Sequence, residues 1–161
     1  MNLIMTGIDF VHAPMAQRER VSFVRGQVQA LLPELARMPG VCGCVLLATC
    51  NRTELYVHGE EGASLDPLAM LARAAGFDAV SFRGLSVTRA DKACVQHLMA
   101  VAAGLESQIF GDDQILTQVR DAAALAREAQ TTDSVLDTLF RRAVTAGKRV
   151  PTEVRLTGVP A

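Results

Sequence analysis

Residues 41–59 read VCGCVLLATCNRTELYVHG, and this stretch decides the fold that we expect. Its first eight residues form a short, continuous apolar run, which is typical of a β-strand covered on both faces. Residues 53–59 alternate apolar and polar side chains, as a second strand does. The residues between the two runs favour a turn. The stretch therefore predicts two antiparallel strands joined by a tight turn at Cys50, Asn51 and Arg52.

The flanking sequence predicts the remaining elements of a small α/β unit. We expect a strand at 2–10, a helix at 15–38 ended by Pro39-Gly40, a helix at 64–75 with Ser64 as its N-cap, and a strand at 81–87. With the central strand pair, these elements follow the order βαββαβ. That order predicts an α+β fold, a ferredoxin-like sandwich over residues 1–88 that carries the cysteine motif.

Beyond residue 88 the pattern becomes helical. We expect helices at 89–103, 112–130 and 133–149, with a break over GLESQIFGDD at 104–113. Pro151 predicts that the last helix ends before it, because proline lacks the backbone N–H that a helix interior needs. Residues 89–161 are thus interpreted as a helical section that completes the domain.

Composition and charge restrict the classes of function. The 161 residues fit one domain, and a charged fraction of 20% with 50% apolar residues indicates a folded protein. The net charge of −1 means that any site for a polyanion must be a local patch. No apolar run reaches the roughly 18 residues that cross a bilayer. The N-terminus also lacks the pattern of a signal peptide, so we expect a cytoplasmic location and no membrane partner.

Cys50 has two interpretations. It could be a small buried side chain at a strand end. Alternatively, the turn exposes its thiol and Arg52 supplies a positive charge that favours the thiolate. Thr49 and Asn51 would then offer hydrogen bonds to a substrate carbonyl or ribose. The residues alone leave both interpretations open.

The other cysteines and the histidines predict no metal site. Cys42, Cys44 and Cys94 are expected to be small buried side chains, without disulfides. The cysteine spacing lacks the paired arrangement of a structural zinc site, and the three histidines form no ligand set.

A second cluster lies in residues 96–116. His97 is either a core histidine or a proton shuttle, since its charge changes near neutral pH. Glu106 and Ser107 lie in a glycine-bounded loop and Gln114 lies just after it, and substrate contacts concentrate in such loops. Asp112 is equally well interpreted as a helix cap or as a ligand residue.

A basic stretch follows near the C-terminus. It contains Arg141, Arg142, Lys148 and Arg149. These cations could form a solvated helix face that complements the helix dipole. They could equally contact the phosphates of an RNA.

Several of these segments resemble, in order, the N-terminal catalytic domain of glutamyl-tRNA reductase. They are GIDFVHAPMAQRERVSF, TCNRTELY, HLMAVAAGLESQIFGDDQILTQVRDAAALAREA and LFRRAVTAGKRV. The resemblance covers nearly the whole chain and is weakest at residues 58–85. Four motifs in the right order are more specific than the cysteine motif alone.

The resemblance implies a reaction. In that family a cysteine attacks glutamyl-tRNA to form a glutamyl thioester, which NADPH reduces to glutamate-1-semialdehyde for tetrapyrrole biosynthesis. By matching position, Cys50 is the implied nucleophile and His97 a proton donor or acceptor beside it. Thr49, Asn51, Arg52, Ser107, Asp112 and Gln114 are the implied substrate-binding residues, with Arg52 facing the glutamyl carboxylate. Arg141, Arg142, Lys148 and Arg149 are the corresponding candidates for contacts with tRNA.

The sequence departs from the family pattern at several positions. His12 alters the opening segment, Asp112 replaces the usual Glu, and Pro151 stands where Arg is expected. The chain has no G-x-G-x-x-G motif, so we expect no bound cofactor unless a further domain or partner supplies NADPH. A short chain would then pass the acyl group to another nucleophile, a nicotinamide-binding or acyl-acceptor partner, or water. The alternative is a non-catalytic paralogue that binds tRNA or a partner protein.

Overall fold

The computed structural model describes residues 1–108 and 114–156, with side chains as far as Arg149. The four strands are β1 (Leu3–Asp9), β2 (Val41–Ala48), β3 (Arg52–Gly59) and β4 (Ser86–Ala90). The helices are α1 (Met15–Glu19), α2 (Arg25–Ala36), α3 (Pro67–Ala75), α4 (Lys92–Ala102), α5 (Gln114–Glu128) and α6 (Ser134–Leu156), and a 3₁₀ helix covers Ala79–Leu85.

The strands form one antiparallel sheet in the order β2-β3-β1-β4. This order and the succession of elements confirm the ferredoxin-like α+β fold and the helical section that follows it. The register sets Gly7 opposite Glu54 and Asp9 opposite Arg52. The two central strands thereby bring the cysteine turn next to the end of β1.

Helices cover both faces of the sheet. On one face, Thr53 of β3 donates its hydroxyl to the carbonyl of Val21, which lies between α1 and α2, at 2.9 Å. On the other, Tyr56 packs edge-to-face against Phe140 of α6, with ring centroids 5.2 Å apart. All of β3 except His58 is therefore buried, although its alternating pattern resembles that of a half-exposed strand.

The helix predicted at 15–38 is wrong as one element, because α1 and α2 are separate. The chain between them leaves the helix and places Val21 at 0% exposure against the sheet. Val24 then precedes α2, and its N–H donates to the Gln27 side chain at 2.8 Å. Burial of Val21 thus decides the break.

Three further boundaries differ from those expected. The N-cap of α3 is Asp66 rather than Ser64, since its carboxylate accepts the N–H of Ala69 at 3.2 Å. Strand β4 starts at Ser86, because the residues before it form the 3₁₀ helix that buries Phe82. Since β4 continues to Ala90, α4 begins at Lys92 rather than at 89.

The last two helices also differ from the expected ranges, since α5 ends at Glu128 rather than at 130 and α6 ends at Leu156 rather than at 149. Residues 112 and 113, predicted to begin α5, lie outside the described residues. Helix α6 continues through Pro151 to Leu156, so the predicted stop at this proline is wrong. A proline removes one backbone hydrogen bond, and a helix can continue past it. In the described part of the chain, no helix is long and apolar enough to cross a membrane.

Candidate active site

The turn between β2 and β3 presents Cys50 to solvent. The N–H of Thr49 donates to the carbonyl of Arg52 at 2.8 Å, which closes the turn. The Thr49 hydroxyl oxygen accepts the N–H groups of Asn51 and Arg52, both at 3.2 Å. Cys50 is exposed at the tip of this turn. Thr49 therefore holds the backbone that positions the thiol.

Behind the turn, a buried carboxylate connects three side chains. Glu54 accepts hydrogen bonds from Arg52 at 3.1 Å and from the Tyr56 hydroxyl at 2.8 Å. Its Oε2 also lies 2.6 Å from Nε2 of His97 on α4. Arg52 donates in addition to the carbonyl of Glu106. The guanidinium of Arg52 is thus fixed by one side chain and by one backbone carbonyl.

The network keeps Glu54 ionised despite its burial. Burial alone raises the pKa of this carboxyl, but the His97 hydrogen bond, the charges of His97 and Arg52, and the Tyr56 hydroxyl outweigh it. The pKa of Glu54 therefore lies below its ordinary value. Burial and then the neighbouring Glu54 charge hold the pKa of Tyr56 well above its usual range.

Gly7 on β1 makes room for this carboxylate. A Cβ at Gly7 would lie 2.8 Å from Cγ of Glu54 and 3.2 Å from its Oε2. Any larger residue at position 7 would displace the Glu54 side chain. The glycine is thus part of the network although it contributes no functional group.

Arg52 lines three cavities. The first, here called the Ser107 cavity, measures about 40 Å³ and is lined by Thr49, Cys50, Asn51, Arg52, Ser107, Gln114, Ile115 and Gln118. The second, the Arg18 cavity, measures about 230 Å³ and is lined by Ile8, Met15, Arg18, Glu19, Ser22, Thr49, Cys50, Arg52 and Thr53. The third, the His97 cavity, measures about 310 Å³ and includes Asp9, His12, Arg52, Arg89, His97 and Glu106.

Most of the residues predicted from sequence meet here. Thr49, Cys50, Asn51, Arg52, Ser107 and Gln114 share the Ser107 cavity. His97 belongs to a cavity that does not include Cys50, and Arg52 lines both. Asp112 lies outside the described residues. The roles assigned to these residues remain predictions.

The predicted tRNA contacts lie on α6. Arg141, Arg142, Lys148 and Arg149 are exposed. Arg141 pairs with Asp137 at 2.7 Å, and Arg127 of α5 pairs with the same carboxylate at 3.1 Å. A groove of about 380 Å³ between α5 and α6 also includes Arg120 and Lys148. Sequence reasoning missed the two α5 arginines, whose helical spacing places them on the same side.

The basic end of α6 lies near the cysteine turn. Gly147 packs so closely that a Cβ there would lie 2.6 Å from the carbonyl oxygen of Ala102 and 2.8 Å from Leu116. Leu116 is in the first turn of α5, which starts at the Ser107 cavity with Gln114. Lys148 and Arg149 are therefore at the same end of the molecule as Cys50.

The remaining cysteines have different environments. Cys44 and Cys94 are buried as predicted, and burial raises the pKa of each thiol to about 12. The prediction that Cys42 is buried is wrong, because the register of β2 on β3 shifts between Val41 and Gly43 and leaves Cys42 exposed.

Neither a metal nor a dinucleotide site is evident in the part of the chain described. No group of three His, Cys, Asp or Glu side chains there could hold a metal ion. The four described strands are all antiparallel, whereas a dinucleotide fold needs parallel βαβ units.

Sequence reasoning missed Glu54, Tyr56 and Arg18. Arg52 and Glu54 are two apart on one strand, so their side chains share a face, and this spacing could have revealed the pair. The contact with His97 joins residues 43 positions apart, and no local pattern indicates it. Arg18 lies in a polar helical segment, where a surface position is the ordinary expectation.

Comparisons with known proteins identify the family. The family model described as "Glutamyl-tRNAGlu reductase, N-terminal domain" matches residues 6–154. A glutamyl-tRNA reductase from Acetivibrio thermocellus is 44% identical over 98% of this chain and 47% of its own length. A probable multifunctional siroheme biosynthesis protein from Ruminiclostridium josui is 39% identical over 99% of this chain and 31% of its own length.

A solved structure gives the same result. The glutamyl-tRNA reductase from Methanopyrus kandleri superposes with a TM-score of 0.78 and 31% identity, covering 95% of this chain and 35% of that one. The chain thus spans less than half the length of each of these relatives. By the family match over residues 6–154, the chain belongs to the glutamyl-tRNA reductase family and corresponds to its N-terminal domain.

Proposed function

We propose that this chain captures the glutamyl group of glutamyl-tRNA as a thioester on Cys50. The observation that carries the proposal is an exposed thiol at a fixed turn, with guanidinium groups in both cavities that it lines. Positive charge beside a thiol favours the nucleophilic thiolate. It also stabilises negative charge that develops on an attacked carbonyl.

The proposed step is an acyl transfer from oxygen to sulfur. The Cys50 thiolate attacks the carbonyl carbon of the aminoacyl ester, and a carbon–sulfur bond forms. The bond from that carbon to the ribose oxygen then breaks. The ribose oxygen takes a proton, so the products are the glutamyl thioester and uncharged tRNA.

The neighbouring residues have separate proposed roles. Asn51, Ser107 and Gln114 line the Ser107 cavity and would contact the ester and its α-amino group, while Thr49 holds the turn. His97 would donate or accept a proton near Arg52. The assignment of Arg52 to the acyl carboxylate stays a prediction, because its guanidinium already pairs with Glu54.

The proposed tRNA contacts follow from position and charge. Lys148 and Arg149 lie at the Cys50 end of α6, and Arg141 and Arg142 continue the basic surface along the helix. Cations of this kind supply most of the affinity for a nucleic acid backbone. The remaining candidate, Asp112, is kept as a proposed substrate contact on the resemblance alone.

Reduction of the thioester would require a hydride donor held elsewhere. NADPH would come from a further domain or a partner protein, since the sequence contains no G-x-G-x-x-G motif. Without such a donor, the acyl group would pass to another nucleophile, an acyl-acceptor partner or water. The proposal for this chain therefore ends at the thioester.

Intact-mass analysis after incubation with glutamyl-tRNA tests the proposal. We expect an adduct of one glutamyl group that hydroxylamine removes, since hydroxylamine cleaves thioesters. Cys50→Ser should abolish this hydroxylamine-labile adduct. Cys42→Ser is the matched control, because Cys42 is also exposed but lies at the other end of β2.

The absence of an adduct on the wild-type chain would overturn the proposal. An adduct that persists in Cys50→Ser would overturn the assignment to Cys50. If the wild-type chain binds aminoacylated and uncharged tRNA equally and acquires no adduct, the non-catalytic tRNA-binding alternative is favoured instead.

A further inference from the structure

We propose that Glu54 is a positioning residue that holds His97 in one tautomer, so that Nδ1 of this imidazole gives a proton to the ribose oxygen when Cys50 takes the acyl group. This inference rests on the proposed function. It names the nitrogen through which His97 acts and the buried carboxylate that selects it.

The hydrogen bond between Glu54 and His97 has only one possible direction. An ionised carboxylate accepts hydrogen bonds and donates none. Its Oε2 lies 2.6 Å from Nε2 of His97, so Nε2 carries the hydrogen. In the neutral imidazole the lone pair then belongs to Nδ1, and in the imidazolium Nδ1 carries the second hydrogen. Only Nδ1 can therefore exchange a proton while the bond to Glu54 remains.

Glu54 is fixed in place independently of any substrate. Its side chain is 1% exposed, and Arg52 donates to the same Oε2 at 3.1 Å. The Tyr56 hydroxyl donates to Oε1 at 2.8 Å, so both carboxylate oxygens have donors. Gly7 on β1 lies so close that only a glycine fits beside the Glu54 side chain. A carboxylate held in this way orients the imidazole before the reaction begins.

The second ring nitrogen of His97 is available for proton transfer. Among the described residues, the only hydrogen bond of the His97 side chain is the one to Glu54. His97 lines the His97 cavity together with Arg52, and Arg52 also lines the Ser107 cavity with Cys50. An imidazole with a free Nδ1 thus borders a cavity next to the one that contains the thiol.

The other two of the three histidines have the opposite arrangement. Nδ1 of His12 lies 2.8 Å from Oδ1 of Asp9, and Nδ1 of His58 lies 2.5 Å from Oδ2 of Asp133. By the same reasoning, Nδ1 carries the hydrogen in both. His97 therefore differs from His12 and His58 in the nitrogen that its carboxylate binds, and these two provide an internal reference for the assignment.

The proposed step conserves atoms and charge. The Cys50 thiolate forms the carbon–sulfur bond, and the bond from the acyl carbon to the ribose oxygen breaks. The His97 imidazolium gives its Nδ1 proton to that oxygen and becomes a neutral imidazole, with its Nε2 hydrogen still bonded to Glu54. Glu54 stays ionised and transfers no proton. Proton transfer of this kind contributes about a hundred- to ten-thousandfold to a rate.

Two glutamyl esters with different leaving groups test the inference. Glu54→Gln keeps the shape of the side chain, but its amide can donate to Nε2 of His97 and so select the opposite tautomer. We expect formation of the Cys50 thioester from glutamyl-tRNA to slow by about a hundredfold or more. The α-p-nitrophenyl ester of glutamate releases a stable anion that needs no proton, so its capture should slow by less than about threefold. Intact-mass analysis in single-turnover experiments measures both rates.

The matched control is Asp133→Asn, which removes the carboxylate from His58 at the other end of β2. It should leave both rates unchanged. Equal slowing of both esters in Glu54→Gln would overturn the inference, because it would indicate a structural role or a displaced Arg52. Unchanged rates in Glu54→Gln would overturn it as well.

A double variant tests whether Glu54 acts through His97. His97→Gln should slow the capture from glutamyl-tRNA and spare the nitrophenyl ester, as Glu54→Gln does. Adding Glu54→Gln to His97→Gln should then slow the capture no further, and additive losses would overturn the inference. If the wild-type chain forms no thioester from either ester, the proposed function fails, whereas the tautomer is tested separately.

The tautomers are measured in the wild-type chain, so this test does not depend on the folding of a Glu54 variant. Long-range proton–nitrogen correlation spectra, recorded at about pH 9 where imidazoles are neutral, distinguish the protonated ring nitrogen from the unprotonated one. We expect Nε2–H in His97 and Nδ1–H in His12 and His58. His12→Gln and His58→Gln assign the signals by removing one set each. An Nδ1–H tautomer or a mixture at His97 would overturn the inference.

Discussion

The two ends of strand β2 carry similar residues in different electrostatic surroundings. Each end has an exposed cysteine and a histidine paired with a carboxylate. At the Cys50 end, His97 lies 2.6 Å from Glu54, whose side chain is 1% exposed. At the Cys42 end, His58 lies 2.5 Å from Asp133, whose side chain is 21% exposed.

The charges around the thiols distinguish the two ends. Cys50 lines cavities with Arg18 and Arg52. Partial desolvation, followed by the negative charges of Glu60 and Asp133, raises the pKa of the Cys42 thiol. The same residue type thus has arginine neighbours at one end of the strand and carboxylate neighbours at the other. Tertiary neighbours, rather than exposure, therefore distinguish the two exposed cysteines.

The largest expected effect comes from removing the carboxylate charge at each end. Glu54→Gln should lower the free energy of unfolding by about 3 kcal/mol, because it leaves the buried Arg52 cation unpaired. Asp133→Asn should cost about 1 kcal/mol or less, since its ion pair with His58 is partly exposed. Urea denaturation of both variants measures the difference.

Glu34→Gln is the control for a charge change alone, and we expect less than about 0.5 kcal/mol for this exposed residue. Equal losses of unfolding free energy in Glu54→Gln and Asp133→Asn would contradict the difference expected between the two ends. They would mean that the burial of the Glu54 network adds nothing to stability.

The stability difference between the wild-type chain and Glu54→Gln should depend on pH. The pKa of Glu54 is lower in the folded than in the unfolded chain, so its contribution is present above the ordinary value of 4.5. It is lost as the pH falls below that value and through the lower folded pKa. Unfolding curves at pH 7, 5, 4 and 3 should therefore converge for the two proteins. A constant difference across this range would contradict the role assigned to the ionised carboxylate.

The smallest expected effect is on thiol reactivity towards a neutral reagent. At pH 7.5, iodoacetamide should alkylate Cys42 more slowly than Cys50, because partial desolvation and then the charges of Glu60 and Asp133 raise the pKa of the Cys42 thiol. Cys44 and Cys94 should react only after unfolding, because both are buried with a thiol pKa of about 12. Peptide mapping by mass spectrometry separates the four sites.

Glu60→Gln sharpens this measurement, because it removes one of the charges that raise the pKa of Cys42. The alkylation of Cys42 should become faster while that of Cys50 stays the same. Equal rates at Cys42 and Cys50 in the wild-type chain would show that the charge difference between the ends has no chemical consequence.

Much of the fold was predictable because its signals are local. The apolar run of β2, the turn after it and the order of elements led to the correct sheet and helix layers. The predictions failed where a distant contact decides the outcome. Helix α1 ends because Val21 packs on the sheet, and the residues before β4 form a 3₁₀ helix because Phe82 is buried.

The residues of the candidate site likewise fall into two groups, those that local motifs indicate and those that only tertiary contacts indicate. Cys50, Arg52, Ser107 and Gln114 were found from motifs, and the structure brings them to one cavity. Glu54 and Arg18 were not recognised, because their importance depends on which neighbours they meet. A buried carboxylate is evident only when its partners on α4 and β1 are known.

The sequence by itself determined the strand pair, the cysteine turn and the family, since periodicity, turn residues and ordered motifs are properties of short segments. Only the tertiary structure decided that Cys50 faces two guanidiniums and that Cys42 faces two carboxylates. It also decided that Arg52 pairs with Glu54, whereas Arg18 pairs with no carboxylate of the described residues and donates to the carbonyl of Ala13. The physical reason is that electrostatic interactions depend on distance and burial in space, which no local segment specifies.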